Sequence, residues 1–277
     1  MIAQIPVRVG GVPEHFNLPW RLAIEDGSFA DAGYDIEWID YPGGTGAIMA
    51  ALGEGHIDIA TPLTEGAVTA IENGNPSELV TGWVDSPLDW GVFAAGHSPA
   101  NTVAELEGKR FAISRYGSGS ELMSLVMAKD YGWSIDDDSF VVVGGLTGAV
   151  EALPSGDAEI FMWDKAMTQP HVESGALKLV GSYATPWPSF TVAQTTAFQN
   201  AHPGVAIDVT RIAATTASAL EERNDAAELI TQRYGLVLPE VTQWLAKADW
   251  TAPGTDLDVD MIADVRDTMV RLGRITA

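Results

Sequence analysis

Apolar and polar residues alternate at Val7-Arg8-Val9 and again at Ile36-Glu37-Trp38-Ile39, the period of half-buried strands. Elsewhere the period lengthens. Ile48, Met49 and Leu52 share one side of a helix led in by residues 43–46, and Val68 and Ile71 are spaced by three. Residues 57–60 read as a third strand and residues 20–25 as the first helix. The stretch 10–19 holds Gly10, Gly11, Pro13 and Pro19 and reads as irregular. Strand, loop and helix thus recur three times in about 75 residues, which by the right-handed crossover rule predicts a parallel sheet flanked by helices.

Residues 79–84 and 90–95 read as strands on either side of Ser86-Pro87-Leu88. A second strand–loop–helix series opens at 110–114, and its helix carries Leu122, Leu125, Val126 and Lys129. Residues 140–143 and 160–163 supply further strands. From about residue 199 the chain reads as mostly helical, closing with Ile262, Val265, Met269 and Leu272 at steps of three and four. Composition shifts at Gly96-His97-Ser98-Pro99, and Thr185-Pro186-Trp187-Pro188-Ser189 is the next strong interruption. These are the expected crossings between a lobe I of residues 1–95 plus 189–277 and a lobe II of residues 96–188.

The two halves share a pattern. Residues 43–59 and 144–160 align without gaps at an offset of 101. Gly43 and Gly44 meet Gly144 and Gly145, Ala51 and Leu52 meet Ala152 and Leu153, Gly55 meets Gly156, Asp58 meets Glu159, and Ile59 meets Ile160. Each copy reads as a Gly-rich loop, an apolar helix, an acidic residue and a short strand. The repeat predicts an α/β fold of two Rossmann-like lobes with a central cleft and two crossover strands.

Composition narrows the function classes. The chain has 277 residues, 46% of them hydrophobic, enough for two cores. No apolar run reaches the ~20 residues a spanning helix needs, so no membrane insertion is expected. Residues 1–6 lack a basic start and an apolar stretch, which places the protein in the cytoplasm as the sequence stands; removal of a signal would instead make it periplasmic or extracellular. Without cysteine there is no disulfide, thiolate metal site or cysteine nucleophile. A net charge of −23 argues against a nucleic-acid partner, which needs a basic face. Only 5 Lys stand against 21 Asp, with the acid excess spread along the chain, as in proteins adapted to high salt.

In an open parallel sheet, ligands bind beyond the carboxyl ends of strands. Five segments fall there: 11–19, 41–45, 61–65, 115–120 and 144–147. The sharpest is Arg115-Tyr116-Gly117-Ser118-Gly119-Ser120, followed by Glu121. Ser118 and Glu121 fit a capping box, so helix N–H groups follow a fixed cation there. Read functionally, this is an anion clamp with Tyr116 as a flat face; read structurally, Arg115 pairs with a surface acid and Ser118 only caps. Glu14, His15, Phe16 and Asn17 offer an acid, an imidazole, a ring and an amide, although a lone histidine is more often structural. Gly44, Thr45, Thr61, Thr64 and Glu65 present small or hydrogen-bonding groups, with Thr64 equally able to cap a helix. Trp163 either stacks on a ligand or fills a core, and Asp164 could hold a cationic or hydroxyl group. Trp187, between two prolines, is expected to be exposed to the cleft. The histidines show no metal-ligand spacing and no nucleophile elbow exists, so neither a cofactor nor a catalytic set is expected.

Several stretches together resemble a known family. Residues 50–60, 103–113 and 153–158, the helix start Gly117-Ser118-Gly119-Ser120, and the helical stretch from His202-Pro203 to Tyr234-Gly235-Leu236 are similar to type II periplasmic-binding proteins. They most resemble the branch for aliphatic sulfonates, taurine, nitrate and thiamine precursors (the NMT1/THI5-like group). The resemblance implies a solute-binding protein that closes two lobes on a small organic, acid-bearing ligand and hands it to an ABC permease. The loop 11–17 departs from the sulfonate-binder pattern, so ligand class does not carry over. The alternative is a cytoplasmic enzyme on the same fold, a lyase or dehydratase with Glu14, His15 or Asp164 as proton carrier, or an enzyme making a thiamine or menaquinone precursor. The missing cysteines count against the thiamine-pyrimidine and desulfinase chemistries.

Overall fold

The computed structural model describes residues 4–276. The strands are β1 Ile5–Gly11, β2 Tyr34–Asp40, β3 Ile59–Ala60, β4 Ser77–Val84, β5 Asp89–Ala95, β6 Phe111–Ile113, β7 Phe140–Val142, β8 Ile160–Asp164, β9 Leu177–Ala184 and β10 Phe190–Thr195. The helices are α1 Leu18–Glu25, α2 Ser28–Asp31, α3 Thr45–Gly53, α4 Thr64–Glu72, α5 Gly119–Asp130, α6 Leu146–Ser155, α7 Lys165–Glu173, α8 Thr196–Ala201, α9 Val205–Glu221, α10 Ala226–Tyr234, α11 Leu238–Leu245 and α12 Val259–Arg271. Among the described residues, no helix is long and apolar enough to cross a membrane.

The chain divides into two compact units, residues 1–86 with 187–277, and residues 87–186. The first crossing therefore lies earlier than the Gly96–Pro99 shift suggested. The reason is pairing: β5 lies between β8 and β9 and is antiparallel to both, so it belongs to the second sheet. The return, at Pro186 and Trp187, falls inside the predicted interruption.

The first sheet runs β2-β1-β3-β10-β4 and the second β7-β6-β8-β5-β9. These orders are equivalent position by position, with β10 and β5 as the strands contributed across the sequence. Each sheet is mixed rather than parallel, because β10 opposes β3 and β4 just as β5 opposes β8 and β9. The sequence repeat is a structural one. Gly55 and Gly156 both adopt the left-handed backbone that turns the chain after α3 and α6, at φ 72° and 78°. Asp58 accepts from the Arg8 backbone N–H at 2.9 Å and pairs with its guanidinium at 2.6 Å. Glu159 does the same with Arg110, at 3.0 and 3.6 Å. In each unit the acid just before one strand thus holds an arginine of its parallel neighbour, Asp58 before β3 with Arg8 within β1, and Glu159 before β8 with Arg110 just before β6.

Each unit has its own core. Trp20 stacks on Phe29 and contacts Trp38 and Trp83 in the first. Phe93, Ala112, Leu153, Phe161 and Leu177 close the second under α6. Helix α1 starts at Leu18, inside the stretch predicted irregular, because Pro19 occupies the first turn, where its missing N–H costs nothing.

Candidate functional site

In the first unit, the candidates lie where β1, β2 and β3 end and β10 begins, and most of them turn inward. Asn17 is fully buried. Its Nδ2 donates to the Val12 carbonyl at 3.0 Å, and its Oδ1 accepts from Thr61 Oγ1 and Trp83 Nε1, both at 3.1 Å. Gly11 makes room for this bracket, since a Cβ there would lie 2.5 Å from Thr61 Oγ1. Asn17 and Thr61 therefore spend these groups on the fold. His15 is buried with its ring edge-on to Trp244, 4.1 Å between centroids, and Tyr234 beyond. Phe16 packs on Phe190 at 4.1 Å, and its carbonyl accepts from Trp250 Nε1. The partly buried Glu14 precedes this turn.

Gly44 leads into α3, whose first residue, Thr45, accepts through its hydroxyl from the Leu63 N–H at 3.0 Å. The starts of α3 and α4 are pressed together, because a Cβ on Gly66 would lie 2.3 Å from the Thr45 methyl. Thr64 does not cap α4; its hydroxyl donates to the Pro188 carbonyl at 2.7 Å. Trp187 is buried rather than exposed, because its indole N–H donates to Glu65 Oε2 at 2.9 Å.

Glu65, which the sequence groups with Thr61 and Thr64 only as a hydrogen-bonding side chain, stands apart from them in the structure. It has no exposed surface, and its Oε1 has no hydrogen-bond partner among the described residues. Burial pushes its carboxyl up to about 7, against the opposing hydrogen bonds from Trp187 and its own backbone N–H. No charged side chain contributes to that shift. Of the elements packed on α4, α3 carries no charge, β10 carries none, Glu78 of β4 holds Gln194, and Arg266 of α12 is engaged with Glu72. The signal in the sequence was a lone acid among Leu63, Ala67 and Val68.

In the second unit, the Arg115–Ser120 loop follows β6. Ser118 Oγ accepts from the Glu121 N–H at 3.3 Å, capping α5, and Glu121 reaches back to the Gly117 N–H at 2.9 Å. Ser120 Oγ accepts from the Ser114 N–H and lies 3.0–3.1 Å from the hydroxyls of Ser118 and Ser114, which buries a chain of serines behind the helix start. Ser118→Ala should cost about 1 kcal/mol by loss of the cap, measured by chemical denaturation. Arg115 is partly buried, and desolvation lowers its pKa from the usual value. Tyr116 is half exposed, its ring edge-on to Phe140, and Gly119 begins α5. Trp163 stacks on Phe161 at 5.2 Å against the second core, the packing alternative for this residue. Asp164 caps α7 by accepting from the Met167 N–H at 2.8 Å, beside an ion pair of Lys165 with Asp89.

A family model described as Ca3427-like PBP matches residues 90–183. Among solved structures, the CA3427 gene product of Candida albicans, described as defining a new family with the generic periplasmic binding protein fold, is 26% identical. That alignment covers 98% of this chain and 91% of the other, with a TM-score of 0.89. The chain has the periplasmic-binding-protein fold. The alkanesulfonate-binding protein SsuA of Xanthomonas axonopodis pv. citri, bound to MOPS, is 18% identical over 100% of this chain and 96% of that one, at a TM-score of 0.80. PhnD1 of Prochlorococcus marinus (MIT 9301), in complex with methylphosphonate, is 12% identical over 98% and 99%, at 0.65. No curated protein matches. The inward-turned Asn17 and Thr61 spend their side chains within the first unit.

Proposed function

We propose that this chain is a solute-binding protein for a small organic molecule bearing an acid group, and that ligand capture draws its two lobes together. The observation that carries this reading is the duplicated sheet, which sets a Gly-, Ser- and Thr-rich helix start beyond the strand ends of each unit. The capped start of α5 directly after Arg115 suits an anionic oxygen, through N–H groups and a fixed charge. The small acids named with similar structures, MOPS and methylphosphonate, are in keeping with such a ligand. Within the fold we place the chain with the sulfonate- and nitrate-type binders, supplying an ABC permease if it works outside the cytoplasm.

Native mass spectrometry of gently purified protein tests the reading. A retained small molecule supports it, and conversion of that molecule would support the lyase alternative, for which a carboxyl titrating near neutrality at Glu65 would be the proton carrier. Arg115→Ala should weaken binding of the retained acid by at least ~1.5 kcal/mol, about tenfold, in calorimetry. Unchanged affinity removes Arg115 from the site.

A further inference from the structure

Glu65 is a carboxylate that the fold leaves incomplete. One oxygen accepts from Trp187 Nε1 at 2.9 Å, while the other is buried without a hydrogen-bond partner among the described residues. Its neighbours in sequence, Leu63, Ala67 and Val68, are buried and apolar. Thr64 is committed to the Pro188 carbonyl, and Thr45 accepts from the Leu63 N–H. Buried polar atoms in native proteins are nearly always satisfied, and an acid kept in apolar surroundings without a counter-charge is a mark of a functional position. Its place also fits, since it lies five residues beyond Ala60, past the carboxyl end of β3.

Three kinds of group could complete it. An anionic oxygen would be accepted only while Glu65 holds a proton. A neutral hydroxyl would satisfy the hydrogen bond and leave the charge uncompensated. A protonated amine supplies both donor and counter-charge, and the acidic surface draws it in. We infer that Glu65, held by Trp187, recognises a positively charged nitrogen on the solute, so that the ligand is an amine as well as an acid. This rests on the solute-binding reading above and narrows its ligand class.

The test uses matched pairs that differ only in ammonium against hydroxyl: taurine with isethionate, β-alanine with 3-hydroxypropionate, and ethanolamine with ethylene glycol. Calorimetry on the intact protein should show the amine of at least one pair binding about tenfold or more tightly than its hydroxyl partner. Glu65→Gln, close to isosteric, should abolish that preference. Hydroxyl partners binding as well as amines to the unaltered protein would overturn the inference and leave the solute-binding reading standing. A preference that persists in Glu65→Gln would overturn it too. If none of the six compounds binds and native mass spectrometry finds no retained molecule, both fall; if none binds but a retained molecule lacks a basic nitrogen, only the amine inference falls.

Discussion

Asn17→Ala should lower the unfolding free energy by about 3–5 kcal/mol, the sum of several buried groups left without partners. The side chain serves three others at once: the Val12 carbonyl, the Thr61 hydroxyl and the Trp83 indole N–H. Asn17, Thr61 and Trp83 have at most marginal exposure, so water does not readily replace the lost amide. Each stranded group costs about 1–3 kcal/mol, with the Thr61 hydroxyl the best able to rotate to another acceptor. Urea denaturation followed by fluorescence reads the effect, since Trp83 lies in the core cluster with Trp20. A loss below about 1 kcal/mol would mean that water fills the space. Because Asn17 is also a candidate ligand contact, affinity per folded molecule separates the roles: a variant that is unstable yet binds normally has lost a bracket, and one that is stable yet fails to bind has lost a contact.

The first unit was legible where pattern is local. The alternation at Val7-Arg8-Val9 and Ile36-Glu37-Trp38-Ile39 found β1 and β2, and the Gly55/Gly156 alignment found the duplication that the twin strand orders repeat. What escaped is what depends on distant partners. Strand β10 is buried along its whole length yet reads Phe-Thr-Val-Ala-Gln-Thr, so its polar residues hid a central strand. The 90–95 stretch was read as a strand, but nothing local says that its partners are β8 and β9. Side-chain direction was equally out of reach. Asn17, Thr61 and Thr64 have the composition of a ligand loop, and only the positions of Trp83 and Pro188 show that their groups are taken. The same dependence set Glu65 level with Thr61 and Thr64 in the sequence, because its partner Trp187 lies 122 positions away.

Glu65→Gln should remove the pH dependence that this carboxyl imposes on stability. Its pKa is raised from 4.5 to about 7 by burial, so the folded state holds a proton that the unfolded chain releases more easily. The sign follows from linkage. Below about pH 4.5 the carboxyl is protonated in both states and has no effect; as the pH rises toward 7 the folded state is progressively penalised; above 7 the penalty is complete. A shift of this size corresponds to roughly 3 kcal/mol. Glutamine still offers an oxygen to Trp187 Nε1, but its amide N–H groups take the place of an oxygen that had no partner, a cost of about 1–3 kcal/mol at every pH. The variant should therefore be the less stable protein at pH 4.5 and close the gap, or overtake, by pH 8, with the difference between the two moving by about 3 kcal/mol across that range. Parallel urea titrations of both proteins at intervals from about pH 4.5 to 8.5 measure it, and carboxyls common to both cancel in the difference. A flat difference would mean that Glu65 ionises as freely when folded as when unfolded. A charge relieved in that way would remove the need for a cation from the solute, so this one titration bears on the amine inference without any ligand in hand.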